Sequence, residues 1–211
     1  MLPPLIPIFP LPNVVLFPNV FLPLHIFEPR YRAMVTDALA GDRIIGMALL
    51  QPGYRADYEG RPAAYPIGTA GVITHSEALP DGRFNIVLRG IEKFRIAEED
   101  QTQVYRLARV EPLPEIMAPA DRDAIRVERR RLESMLRDRA RFDGVARAGS
   151  DAQLPPSITD EDLVNALAQY LSLEPIERQA LLERDGILAR ARALTELLEM
   201  KTLPGRSGSV H

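Results

Sequence analysis

The side chains of this chain best suited to chemistry or recognition are His25, His75 and His211, the acids Glu98, Glu99 and Asp100, and Tyr54, Tyr58 and Tyr65. A zinc site needs clustered nitrogen or sulfur ligands. Here the histidines are scattered, no His-Glu-x-x-His occurs and there is no cysteine, so no metal and no resident cofactor is expected. The missing thiols also exclude cysteine nucleophiles and disulfides, and they fit a reducing compartment such as the cytoplasm. His25 sits in an apolar run and reads as a satisfied strand-edge histidine. Nothing beside Glu98, Glu99 and Asp100 would raise a carboxyl pKa, so they read as a solvated strand end rather than a general acid–base pair. No catalytic constellation emerges, and the chain is expected not to be an enzyme.

Binding remains. Tyr54, Tyr58 and Tyr65 share the Gly- and Pro-rich stretch 52–66, where aromatic rings on a loop offer contact area to an extended peptide. The favoured reading is that they pin this long loop to its scaffold. Phe17, Val20 and Phe21 pose the same choice: a patch for unfolded chains if exposed, core if buried.

The elements that must position these residues follow from periodicity. The first 27 residues carry no charge apart from a possible His25, yet no Lys or Arg precedes Arg30 and seven prolines interrupt the run. A signal peptide and a membrane-spanning helix both fail on those counts, and short kinked strands remain. Pro29 opens a helix with Tyr31, Met34, Val35, Ala38 and Leu39 on one face, stopped by Gly41. "RIIGMALLQ" (43–51) has strand length. "GTAGVITHSEAL" and "RFNIVLRGIEKFRIAEE" form a hairpin about "PDG", with a bend expected at Gly90, and 102–113 continues the alternation. This predicts a closed or partly closed antiparallel barrel over 1–116.

From Asp121 to Arg147 the spacing of Ile125, Leu132, Met135, Leu136 and Phe142 predicts one long helix, rich in arginine but with interspersed acids. Its charged face reads as solvated, with an RNA-facing surface as the alternative. A linker at 149–157 and three further helices, the first capped by Thr159, are expected to complete a helical bundle over 117–203, with a flexible tail at 204–211. The net charge of −3 gives no global attraction to phosphate or to anionic membranes, which argues against nucleic acid and membrane partners.

Three stretches in order, "IPIFPLPNVVLFPNVFLPLHIFEPRYRAMV", "IGTAGVITHSEALPDGRFNIVLRGIEKFRI" and "LVNALAQYLSLEPIERQALLERDGILARARALTELLEM", resemble the N-terminal substrate-binding domain of Lon proteases in a stand-alone form. The resemblance implies an α+β fold: an N-terminal PUA-like antiparallel β-barrel with one short helix, then a C-terminal helical bundle with one long helix. It also implies that the chain contacts protein substrates. The ATPase and protease of such enzymes would need a Gly-Lys-Ser/Thr phosphate cradle and a Ser–Lys dyad. Lys93 follows Glu92 and Lys201 follows Met200, and both lysines are expected at the solvated surface.

The resulting expectation is a non-catalytic peptide-binding module, adaptor or chaperone-like, for unfolded or extended polypeptide segments. Phe17, Phe21, Tyr54, Tyr58 and Tyr65 are the candidate contacts. An RNA-binding PUA-like module and a docking subunit of a protease or chaperone complex are the alternatives.

Overall fold

The computed structural model describes residues 2–57, 60–100, 102–142 and 158–202, and these form two compact units. The first comprises residues through Glu115 together with Asn165–Glu183; the second comprises 116–142, 158–164 and 184–202 among the described residues. Tyr58, the linker at 149–157 and the tail at 204–211 lie outside the described residues.

Unit one is a six-stranded sheet with one helix between its strands. The strands are β1 (Leu5–Leu11), β2 (Phe21–Ile26), β3 (Ile44–Leu49), β4 (Ile67–Ala78), β5 (Phe84–Asp100) and β6 (Arg106–Leu113), and α1 (Pro29–Ala40) joins β2 to β3. Their order is β2-β5-β4-β3-β1-β6, with a further pairing of β5 to β6. That last pairing returns the sheet on itself, so β5, β4, β3, β1 and β6 make a closed circuit of hydrogen-bonded neighbours and β2 remains as an appended edge.

One pairing departs from the all-antiparallel expectation. β1 runs parallel to β3, Ile8 opposite Gly46 and Leu11 opposite Leu49. A parallel pair needs a long crossover, and β2 with α1 supplies it.

β5 explains how one strand serves both the edge and the circuit. Its first residues pair with β2, ending at Arg89 opposite Phe21, and its later residues pair with β6 from Lys93 opposite Leu113. The bend expected at Gly90 falls between these two stretches. Gly90 exchanges backbone hydrogen bonds with the 17–20 segment (Asn19 N to Gly90 O and Gly90 N to Val20 O, both 2.9 Å), and a Cβ there would lie 2.1 Å from the Phe17 carbonyl. Only glycine lets that backbone approach. The β4–β5 hairpin closes as read: Gly82 has φ +80°, and Leu79 and Arg83 pair across the turn at 2.8 Å.

Apolar side chains fill two clusters in unit one. Tyr31, Met34 and Val35 of α1 pack against Phe9, Ile45 and Met47, while Ile6, Ile8, Ala48, Phe94 and Ala108 from the strands form the other. β1 contributes to both because its successive side chains point to opposite faces.

Residues 165–183 group with the sheet rather than completing a separate three-helix bundle. They hold the second part of α3 (Asp160–Tyr170) and α4 (Pro175–Leu182). Polar bonds account for this: Gln179 donates to Ile67 O (2.9 Å), Tyr170 to Phe21 O (3.0 Å), and Phe17 N to Gln169 Oε1 (3.2 Å). In unit two, α2 (Arg122–Phe142) packs along α5 (Ile187–Thr202), burying Ile125, Leu132, Leu194 and Leu198, and Thr195 Oγ1 donates to Glu128 at 3.2 Å. Thr159 caps α3 through Asp162 N at 3.0 Å, as its position indicated, and Arg129 of α2 reaches Asp160 at 3.0 Å.

Candidate functional site

Strand β2 and the residue after it read "FLPLHIF" (21–27), and alternation sends Phe21, Pro23, His25 and Phe27 to one side. Leu22 and Leu24 are half-buried and Ile26 is buried, so the opposite side makes core. The outward row is exposed: Phe21 is 50 % accessible and Phe27 60 %. β2 is the terminal strand of the sheet order, and Pro23 removes a donor from its edge, which blunts edge-to-edge pairing.

His25 is held within this row. Arg83 donates to its Nε2 at 3.3 Å, which leaves Nδ1 to donate to Asn85 Oδ1 at 2.8 Å, and its ring lies 6.3 Å from that of Phe27, nearly parallel. Beside it a shallow depression is lined by Pro23, Leu24, His75, Ile86 and Val87. The surface is thus an apolar stripe with a fixed imidazole, suited to contact.

The candidates from the sequence separate. Phe21 belongs to the stripe. Phe17 is 0 % exposed, packed into the core where the 17–20 segment docks on Gly90, and so offers an incoming chain no surface. Tyr54 lies in a short 3-10 turn and Tyr65 beside the bridge that joins Leu50 to Ala64; both are half-buried. Tyr65 N donates to Leu49 O and Gln51 N to Ala63 O, each at 2.8 Å, so the base of their loop is laced to β3.

A second feature was missed in the sequence because its members are far apart. Arg30, Arg61 and Arg106 line a cavity of about 200 Å³ together with Tyr31 and Tyr105. Arg30 pairs with Glu28 at 3.0 Å and lies over the Tyr31 ring at 4.7 Å. Arg61 donates to the carbonyls of Asp100 (3.3 Å) and Gln103 (3.2 Å). Arg106 donates to Pro62 O at 2.6 Å and sits 3.5 Å from Glu99; burial pulls its pKa below the ordinary arginine value, and the Glu99 charge opposes that. Tyr105 donates to Asp37 at 2.7 Å, and desolvation with that bond pushes the phenol up to about 12.

Asp100 and Lys93 are each held by local partners. Asp100 accepts from Thr102 N at 2.7 Å, and its hydrogen bonds to Thr102 hold its carboxyl below the usual range, the wrong direction for a proton donor. Lys93, expected at the surface, is only 5 % exposed: it pairs with Glu115 at 3.0 Å and donates to Leu182 O at 3.1 Å. Lys93 lies on the face of β5 opposite Phe94, where Leu182 and Glu115 cover it, and a buried ammonium survives there only with that carboxylate and carbonyl at hand. Among the described residues no group of three or more histidines and acids is placed to hold a metal ion, and no helix is long and apolar enough to cross a membrane.

This α+β architecture is that of Lon N-terminal domains. Over 92 % of this chain it superposes on the Lon N-terminal domain protein from Xanthomonas campestris (TM-score 0.59, 25 % identity, 97 % of that chain). It also superposes on the N-terminal domain of the Mycobacterium avium complex Lon protease (TM-score 0.65, 18 % identity, 98 % of that chain). The family model for the ATP-dependent protease La (LON) substrate-binding domain matches residues 5–200, and the chain belongs to this family.

Relatives include the Lon protease of Trichlorobacter lovleyi, 30 % identical over 207 residues, and that of Cytophaga hutchinsonii, 26 % identical over 199. Each alignment covers 93 % of this chain and 24 % of the relative, so the chain spans about a quarter of their length.

Proposed function

We propose that this chain is a non-catalytic polypeptide-binding module whose unit one, a PUA-like barrel formed by the closed strand circuit, holds apolar segments of other proteins in extended form. The observation that carries this reading is the outward row Phe21, Pro23, His25 and Phe27: two large aromatic rings left accessible on a strand whose other face is core. The row advances about 3.3 Å per residue, the repeat of an extended chain, so alternate client side chains can fall beside successive members.

Covering half of a phenylalanine removes on the order of 100 Å² from water, or about 2 kcal/mol per ring. Two rings together supply about 4 kcal/mol, a millimolar contribution to which a client's other contacts must add, and this suits a surface that takes many sequences and releases them. The pairing of Arg129 with Glu133 and Asp160, and of Arg131 with Glu199, leaves α2 poorly suited to tracking a phosphate backbone. Membership of a substrate-binding family supports the same side.

The test is retention of a chemically unfolded client by the wild-type chain and by Phe21→Ser and Phe27→Ser, measured at 50 and 200 mM salt. Each substitution is expected to weaken retention about tenfold or more, and wild-type affinity is expected to change little with salt. A fall of about a thousandfold across that salt range would mark phosphate-type binding instead. Unchanged retention in both variants would remove β2 from the site.

A further inference from the structure

Arg106 holds a polar group for which the described residues supply no acceptor. The residue is 7 % exposed, its Nη2 donates to Pro62 O, its Nε faces Glu99, and its Nη1 is buried with no acceptor among the described residues. A buried guanidinium N–H left unmatched is costly, and the fold retains it on the wall of the one arginine-lined cavity described above.

We propose that this cavity is a carboxylate pocket, which binds the C-terminal carboxylate or an acidic side chain of the polypeptide held by unit one. The proposal rests on the polypeptide-binding reading and adds to it the chemistry of one anchoring group.

Three features carry it. Among the described residues the wall contains three arginines and no acid; Glu28 and Glu99 engage Arg30 and Arg106 from outside the lining. Arg61 is positioned by the carbonyls of Asp100 and Gln103, and the Asp100 carboxylate that its charge stabilises lies outside the lining. Such a preset cluster spends little side-chain entropy when it receives an oxyanion, and arginine forks match a carboxylate with two parallel N–H donors.

Size and place select the class of ligand. At about 200 Å³ the cavity is smaller than the 300–1,000 Å³ typical of small-molecule sites, so it admits a carboxylate on a short stem rather than a nucleotide. The stripe's end is near Arg30 along the chain: Phe27 precedes it by three residues, a Cα span of about 10 Å at most. A client chain that continues past Phe27 toward Arg30 would bring a later residue or its terminus within reach of the pocket.

The experiment uses the full chain and N-acetyl-phenylalanine against N-acetyl-phenylalaninamide, followed by NMR. The free acid is expected to shift Arg106 and Tyr105 side-chain signals and the amide is not; no acid-specific shift overturns the proposal, whatever larger peptides do. A second arm measures anisotropy of a labelled apolar decapeptide as free acid, as C-terminal amide, and as an amide with one internal Glu or Gln. A preference of about tenfold for the free acid assigns the pocket to chain termini, and the same preference for Glu over Gln assigns it to acidic side chains. Equal binding of all four overturns the proposal while leaving the polypeptide reading intact. No peptide binding, with the NMR shift present, instead sinks that reading and keeps the carboxylate site. Arg61→Gln, and Val104→Asp at the 72 % exposed rim, are both expected to cut the preference at least fivefold. Retention of the preference in both folded variants, or an Arg61-dependent preference for single-stranded RNA over every peptide, overturns it.

Discussion

A buried ammonium in the wall of unit one is tolerable only while its carboxylate stays in place. Lys93→Met would take the ammonium away from Glu115, whose side chain is 9 % exposed, and is expected to destabilise the fold by about 3–5 kcal/mol in urea titration. Replacing both, Lys93→Met with Glu115→Leu, is expected to recover most of that loss. Recovery of none would mean that the lysine acts through packing alone. Tyr105 supplies a pH dependence with a definite sign. Its folded pKa, about 12, lies above the unfolded value near 10, so the stabilisation is fully present below pH 10 and disappears as pH rises through 12. The gap in urea midpoint between wild type and Tyr105→Phe is therefore expected to close over that window. A constant gap would assign the effect of the substitution to lost contact rather than to the Asp37 hydrogen bond.

At the scale of elements, β5 matters most, because one strand supplies both the edge that carries β2 and the seam to β6. Gly90 sits where the partner changes, and Gly90→Ala would drive a methyl group into the Phe17 carbonyl. A loss of about 2 kcal/mol or more in thermal or urea unfolding is expected, within the usual cost of overpacking, and a neutral result would mean that the 17–20 segment shifts freely. Most elements were legible from periodicity: the strands, the first helix, the β4–β5 turn, the bend at Gly90 and the Thr159 cap each depend on a short window of residues. β6 begins at Arg106 rather than 102, since Asp100 turns back onto Thr102 and Arg61 claims the carbonyls of Asp100 and Gln103. The parallel β1–β3 pair was not legible, because alternation along a strand says which face is buried and nothing about which neighbour lies alongside.

For the molecule as a whole, a formal charge of −3 and a sheet closed by β5–β6 go with apolar area on β2 and a local cationic pocket, the binding surfaces proposed above. They respond differently to conditions: an apolar stripe holds its affinity through physiological salt, while a carboxylate pocket loses some of its preference as screening rises. The sequence alone determined the order and kind of the secondary elements, and the family. Those follow from residue type and from patterns spanning a few residues. Only the tertiary structure decided that Phe17 is core and Phe27 surface, that Lys93 meets Glu115, that residues 165–183 join the sheet, and that Arg30, Arg61 and Arg106 share one cavity. Burial and pairing are set by which distant segments pack together, and no local window of sequence contains that information.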